Sequence, residues 1–435
     1  MADIKTLYPA RGVKLCTIPT DRFKTSVVSA TLAMPLTGRI EERALLSTLL
    51  RRASAKYDSM TKMNRKLAEL YGAVLSSGVD KVGEGQFVSF ALSCVDDRFA
   101  IDDESISAKC VELLLELLFE PKLINGVFSA EDVETEKRLL SEKIDSEFSD
   151  KKLYALDTMI EQMCKDELYS TRRYGKKERI LALTPEDVTA SWQEMLEKAM
   201  IQIIVVGNCD GSDIQNKLEK RFSNVDRSDL CEIKTQVVTT AGEEQYFSES
   251  QRVKQGKLVI GMRSGMKDED DGFYAYRVMT DMFGGGPYSK LFMNVREKMS
   301  LCYYCSARLN KTKGLIIVQS GIEQENEEKA ISAIRQQLED MKNGCFSQED
   351  LENSIKGLSD AAISANDLPE ALNAWYSYHY TSVDSRDRIS PEEFVENISS
   401  VTAEQVQEAA KKVTVDTIFM LKPNGEGDEE DDDED

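Results

Sequence analysis

The sequence predicts an α+β protein of two homologous halves. Each half is expected to be a mostly antiparallel sheet with helices packed on one face, the pair enclosing a chamber. Three observations lead to the two halves; the chamber is a further expectation that periodicity does not carry. At 435 residues the chain is too long for one ordinary core. Helix-start signatures recur at a shared offset: Phe128-Ser129-Ala130-Glu131-Asp132-Val133 matches Phe346-Ser347-Gln348-Glu349-Asp350-Leu351, and Thr184-Pro185-Glu186-Asp187-Val188 matches Thr402-Ala403-Glu404-Gln405-Val406, both pairs 218 residues apart. Each carries a Ser or Thr able to cap free helical N–H groups, with acids in the first turn, and Gln405 falls at the capping-box position. Third, the element order reads the same way twice: strand, helices, strands, helices, strand.

The elements follow from periodicity. Val27–Met34 reads as a strand, Arg43–Tyr57 and Lys62–Tyr71 as helices, and the alternation through Val74–Ser77 and Phe87–Cys94 as paired strands. A helix over Ile106–Phe119, a long helix from Ala130 toward Glu147, further helix to about Asp166 and a helix from Pro185 come next. Ile201–Val206 is a β-rich run stopped by Gly207. In the second half Lys257–Met262 is a strand, and Asp270–Phe283 and Tyr288–Met299 are helices. Leu301–Leu309 and Leu315–Ser320 are strands, Glu325–Met341, Gln348–Ala365 and Glu404–Lys412 helices, and Thr417–Leu421 the closing strand. The expected domains are 1–225, a polar linker 226–248, 249–423, and an acidic tail 424–435.

Composition narrows the function classes. Net charge is −22, and Glu426–Asp435 holds nine acids and no base, leaving −13 for the remainder. Such a block repels itself and is expected to stay disordered. The acidic balance argues against nucleic acid as a partner. No apolar run approaches the roughly 20 residues of a membrane helix, and the N-terminus shows no secretory pattern, so no membrane is expected. Nine scattered cysteines suit a reducing, cytoplasmic setting better than a disulfide framework.

The chemistry concentrates in Phe283–Tyr304. Gly284, Gly285 and Gly286 let the backbone approach another chain closely, and Pro287 fits the first turn of the next helix. No Gly-Lys-Ser/Thr follows, so this is not a phosphate loop. The following helix sets Leu291, Val295 and Met299 on one face and Arg296 on another; the chain turns at Ser300 into a strand bearing Tyr303. A guanidinium and a phenol there could hydrogen-bond a peptide carbonyl or an oxyanion. Taken alone, the two residues read first as a helix-end charge and a half-buried strand tyrosine.

Arg296-Glu297-Lys298-Met299-Ser300-Leu301-Cys302-Tyr303, behind its glycine loop, resembles the R-E-K-x-x-L-x-Y segment of the pitrilysin/insulinase family of inverted-motif zinc peptidases. Tyr174-Gly175, Leu183-Thr184-Pro185-Glu186-Asp187-Val188 and Val205-Val206-Gly207-Asn208 are similar to the family's Y-G, L-T-x-E-D-L and V-V-G-D stretches. The resemblance implies that Arg296 and Tyr303 contact substrate, with the glycine loop beside them. It also implies a zinc site, H-x-x-E-H on a helix plus a distal glutamate. The ungapped placement of that motif falls on Ser47, Leu50 and Arg51, and the chain has one histidine, His379. Glu136 and Glu142 match the distal region; one carboxylate cannot hold catalytic zinc, so both are expected to be exposed helix charges. His379 is expected to pack or hydrogen-bond in the aromatic run Trp375–Tyr380. Cys302 and Cys305 form a C-x-x-C, but residues three apart on a strand face opposite ways.

The resemblance, with that gap, implies a catalytically inactive, substrate-binding subunit of a heterodimeric peptidase, similar to the α-subunit of mitochondrial processing peptidase. Zinc is expected in a homologous partner and none in this chain, with peptides or unfolded segments as substrate. The alternative is a peptide-binding or scaffold protein with no peptidase partner.

Overall fold

The computed structural model describes residues 4–101, 104–209, 211–267, 272–377 and 389–424. His379 and nearly all of the acidic tail lie outside the described residues. Strands β1 (Lys5–Ala10), β2 (Val13–Ile18) and β3 (Thr25–Pro35) lead to helices α1 (Ile40–Arg52) and α2 (Met60–Glu69). Strands β4 (Val74–Val82) and β5 (Gly85–Val95) precede α3 (Ile106–Phe119) and a short hairpin, β6 (Leu123–Ile124) and β7 (Val127–Phe128). Helices α4 (Ala130–Ser149), α5 (Lys151–Met163), α6 (Lys177–Ala182) and α7 (Pro185–Lys198) follow, then β8 (Met200–Val206) and α8 (Gly211–Phe222). The second half holds β9 (Gln245–Gln251), β10 (Gly256–Arg263), α9 (Phe273–Gly284), a π-helical segment (Leu291–Lys298), β11 (Cys302–Asn310) and β12 (Leu315–Ile322). It ends with α10 (Glu327–Lys342), α11 (Gln348–Ser364), α12 (Pro369–Ser377), α13 (Pro391–Ser399), α14 (Ala403–Lys412) and β13 (Thr414–Pro423).

Duplication is visible in the topology. The first sheet runs β1-β2-β8-β3-β5-β4 and the second β11-β12-β10-β13-β9. Read from the other end, the second order matches β2-β8-β3-β5-β4 strand for strand. Each sheet is antiparallel except for one parallel pair, β2–β8 in the first and β13–β9 in the second. The four helix starts that betrayed the repeat are capped as expected. Thr184 and Thr402 head full capping boxes, and the Ser129 and Ser347 hydroxyls accept from the Asp132 and Asp350 N–H groups.

The chain separates into two compact units, Met1–Asp145 with Thr171–Lys234 and Ser364–Ser390, and Ser146–Ser170 with Thr235–Ile363 and Pro391–Asp435. The units are therefore not contiguous halves. Helix α5, from the first half, lays Ala155, Met159 and Met163 on Val259, Phe419 and Leu421 of the second sheet. Helix α12, from the second half, lays Leu372 and Tyr376 on Cys16, Ile18, Ile204 and Val206 of the first. In the first unit the other face of the sheet buries Leu45, Leu49 and Leu50 of α1 and Leu113, Leu114 and Leu117 of α3. Helices thus cover both faces, where the sequence suggested one, because each half sends a helix to the sheet its sequence neighbours do not form.

Much of the expected linker is packed. Arg227 is buried and donates to the carbonyls of Arg11 and Gly12, while Cys231 N–H donates to Lys198 O. Residues 245–248 already belong to β9. Helix α1 stops at Arg52 rather than Tyr57, since Ala53 is extended and Ser54 bridges to Pro121. In the second unit a buried carboxylate, Glu167, receives Arg263 Nη1 at 2.9 Å and Lys313 Nζ at 2.6 Å.

Candidate functional site

The glycine loop is a close-packing device. A Cβ on Gly284 would lie 2.5 Å from the Ala307 backbone N, so the end of α9 could not rest on β11. A Cβ on Gly285 would lie 2.1 Å from Asp281 Oδ1. At Gly286 the obstacle is only the Tyr288 ring, at 2.8 Å. The loop is anchored by the Tyr288 hydroxyl, which donates to Asp281 Oδ2 at 2.8 Å. Burial raises the Asp281 carboxyl, against the pull of that hydrogen bond and of Arg277.

Beyond the loop the expected helix is π-helical, with Met299 N–H donating to Asn294 O. Such wide turns recur at functional sites. Leu291 and Val295 are buried as expected; Met299 is exposed, standing just past the end of the segment. Arg296 lies near the end of this segment, 41% exposed at its side chain, 3.7 Å from Glu297 and over the Phe292 ring at 4.6 Å. Ser300, with φ of 53°, makes the left-handed turn into β11.

Tyr303 owes its position to a β-bulge. Cys302 pairs with Ile322 and Tyr304 with Gly321, so Tyr303 is the extra residue with no partner of its own. Tyr303 is 63% exposed, and its hydroxyl donates to Glu323 Oε1 at 3.2 Å, a carboxylate that raises the phenol. The strand that carries it, β11, is an edge of its sheet. Arg296 and Tyr303 thus stand on consecutive elements with separate partners. The bulge also corrects the reading of the C-x-x-C. Cys302 and Cys305 oppose Ile322 and Ser320, two positions apart on β12, and so share a face.

The helix matched to the metal motif has become ordinary core. Leu50 is fully buried, Ser47 is buried and donates to Ala44 O at 2.8 Å, and Arg51 points to solvent. Glu142 is exposed beside Arg138, as expected. Glu136 is not an exposed charge. Its side chain is 8% exposed and receives Arg52 Nη1 at 2.9 Å, while Arg52 Nε donates to Asp132 at 2.8 Å and Lys122 reaches Asp132 at 3.1 Å. The Arg52 guanidinium answers both carboxylates. Among the described residues no three His, Cys, Asp or Glu side chains are grouped to hold a metal ion. The residues at the matched positions do not fit zinc: a hydroxyl, an isobutyl group and a cation cannot replace two imidazoles and a glutamate.

Tyr174-Gly175 serves the fold. Gly175, at φ of 71°, lies so close to Glu41 that a Cβ would come within 2.5 Å of its carboxyl, and Lys176 N–H donates to Glu41 Oε1 at 3.0 Å. Sequence reasoning missed Arg52, Asp281, Tyr288 and Glu323. Only Asp281 carried a local signal, standing four residues before Gly285, which caps the end of its helix.

Residues 182–358 match the family model described as the peptidase M16 inactive domain. The chain is similar to the probable inactive metalloprotease YmfF of Bacillus subtilis, 32% identical over 94% of this chain and 96% of that one. It is also similar to the antilisterial bacteriocin subtilosin biosynthesis protein AlbE of Bacillus subtilis, 24% identical over 64% of this chain and 68% of that one. Among solved structures, a conserved protein from Enterococcus faecalis V583 superposes with a TM-score of 0.87 at 28% identity, covering 98% of this chain and all of that one. No helix among the described residues is long and apolar enough to cross a membrane.

Proposed function

Since the chain belongs to the pitrilysin/insulinase (peptidase M16) family, as an inactive member without the metal-binding histidine pair, we propose that it is the substrate-binding subunit of a two-chain zinc peptidase. One observation carries this reading: the Gly284–Tyr303 segment keeps Arg296 and a bulge-set Tyr303 open to solvent, while the helix matched to the metal motif is closed by Leu50 and the Arg52–Glu136 pair. In this role Arg296 and Tyr303 hold peptide carbonyls by hydrogen bonds, and the extended substrate adds its backbone to a sheet edge, which binds without strict sequence choice. The homologous partner supplies zinc and the activated water. The substrates are peptides or unfolded protein segments. The relative AlbE, named for a bacteriocin biosynthesis system, supports a setting in which peptides are processed. The nine cysteines, none of them in a disulfide, support a cytoplasmic location.

The test is co-purification with a similar-sized chain bearing H-x-x-E-H, assaying zinc and peptide hydrolysis for each chain and for the mixture. The expected result is zinc in the partner alone and hydrolysis that rises well above the partner's own on mixing. Stoichiometric zinc with proteolysis by this chain alone overturns the reading. So does failure to associate, which would leave a peptide-binding scaffold.

A further inference from the structure

The bulge at Tyr303 does something to the flanking cysteines that the peptidase reading does not use. In a regular strand Cys302 and Cys305 would face opposite ways. The extra residue changes the parity, so both thiols lie on the face that also carries Ser320, the residue paired with Cys305. Cys305 is buried, at 4% exposure, while Cys302 is only half-buried. The Ser320 hydroxyl is fully buried and donates to Tyr304 O at 2.9 Å.

We propose that Cys302 and Cys305 are a redox-active dithiol, oxidised by hydroperoxides to an intramolecular disulfide that displaces Tyr303. The division of labour follows from exposure. Cys302, the open member, attacks one oxygen of the hydroperoxide. An S–O bond forms, the O–O bond breaks, and the other oxygen leaves as alcohol or water, taking the thiol proton. The Cys305 sulfur then attacks the sulfenic sulfur; an S–S bond forms, and the hydroxyl leaves as water with the Cys305 proton. Two thiols give up two electrons to the peroxide.

The electrostatics favour this order. The Cys305 thiol, acting as donor, lowers the Cys302 thiol below its ordinary value against the opposing effect of burial, and Ser320 and the Arg296 charge add to the lowering. Cys305 is shifted the other way, by Cys302 and by burial. A thiolate-prone open cysteine beside a buried neutral one is the arrangement of an attacking and a resolving pair.

The effect on Tyr303 is geometric. Same-face positions two apart on a strand are roughly 6.6 Å apart, and a third residue is folded between these two. A disulfide draws its Cα atoms to about 5.5–6 Å. The same-face spacing lies within the roughly 4.4–6.8 Å a disulfide takes, and closure to its commonest value draws in the bulge, where Tyr303 stands. This inference does not depend on the peptidase role, because its first readout is chemical.

The experiment treats the reduced full-length protein with hydrogen peroxide and follows the peptide containing residues 302–305 by mass spectrometry. Exposed Cys345 serves as the internal comparison. Expected are a peptide lighter by two hydrogens, restored by dithiothreitol, and consumption of Cys302 at least about tenfold faster than of Cys345. Cys305→Ser should trap a dimedone-reactive sulfenic acid on Cys302, and Cys302→Ser should leave Cys305 unoxidised. Hydrogen exchange over 300–305 should change on oxidation. Reaction of Cys302 no faster than Cys345, or a sulfinic acid in place of the disulfide, overturns the dithiol; a disulfide with unchanged exchange overturns the displacement of Tyr303.

Discussion

Arg52 Nη1 donates to Glu136 Oε1 from 2.9 Å, joining the end of α1 to the middle of α4 across 84 residues of sequence. These are the two helices on which a zinc peptidase of this family would be expected to hold its metal, and here a guanidinium supplies the positive charge. Among the described residues Arg52 is the cation paired with Glu136, and Asp132 shares Arg52 with Lys122.

Removing that guanidinium should therefore cost more than an exposed ion pair would. Arg52→Met is expected to destabilise the protein by about 2 kcal/mol, below the roughly 3–5 kcal/mol for breaking a fully buried pair because Arg52 is partly exposed. Adding Glu136→Gln should recover part of the loss. Urea denaturation of the single and double variants measures both, and additive losses would remove the coupling.

The glycine loop should show a graded response. Gly284→Ala and Gly285→Ala meet backbone and a buried carboxylate, and each is expected to lower stability by about 1–3 kcal/mol through overpacking. Gly286→Ala meets the edge of a movable ring and should cost less than either. Thermal melts of the three variants check the order.

Arg296→Ala and Tyr303→Phe change exposed side chains, so stability should move by less than about 0.5 kcal/mol. Both are expected to lower peptide turnover by the two-chain complex while leaving its assembly intact. Size-exclusion chromatography and a hydrolysis assay separate the two effects; unchanged turnover in both variants would remove these residues from substrate binding.

Glu167 gives the fold a defined acid sensitivity. Burial alone would raise its carboxyl, but the Lys313 ammonium and Arg263 guanidinium outweigh burial and hold it below the ordinary 4.5. Its contribution is full above the unfolded value and is lost as pH falls through the lower folded value. Glu167→Gln should be less stable than the parent at neutral pH, and the gap should narrow as pH drops below about 4.5. Denaturation midpoints across that window test it; a constant gap would contradict it.

What the sequence disclosed was what is local. Caps at Ser129, Thr184, Ser347 and Thr402 sit within four residues of the groups they satisfy, and α3 over Ile106–Phe119 follows from its own periodicity. One strand that escaped notice, β9, lacked that signature. Strand β9, Gln-Tyr-Phe-Ser-Glu-Ser-Gln, alternates only between half-buried and exposed, so its polar residues read as linker. The Arg–Tyr segment was found because its residues are contiguous. The bulge that aims Tyr303 is a matter of register against β12, and no residue type announces it. The Arg52–Glu136 pair was hidden for the opposite reason: each residue is unremarkable until two distant helices meet. An apolar helix face likewise says that α5 must pack, not on which sheet.

That last point governs how the chain can be made. A polypeptide emerging from the ribosome completes residues 1–234 with Cys16, Ile18, Ile204 and Val206 still uncovered, since Leu372 and Tyr376 have not been synthesised. Meanwhile Met159 and Met163 wait for a sheet that does not yet exist. Neither half, cut out at its sequence boundary, would carry its full complement of cover, so the smallest unit able to mature is the pair of halves together.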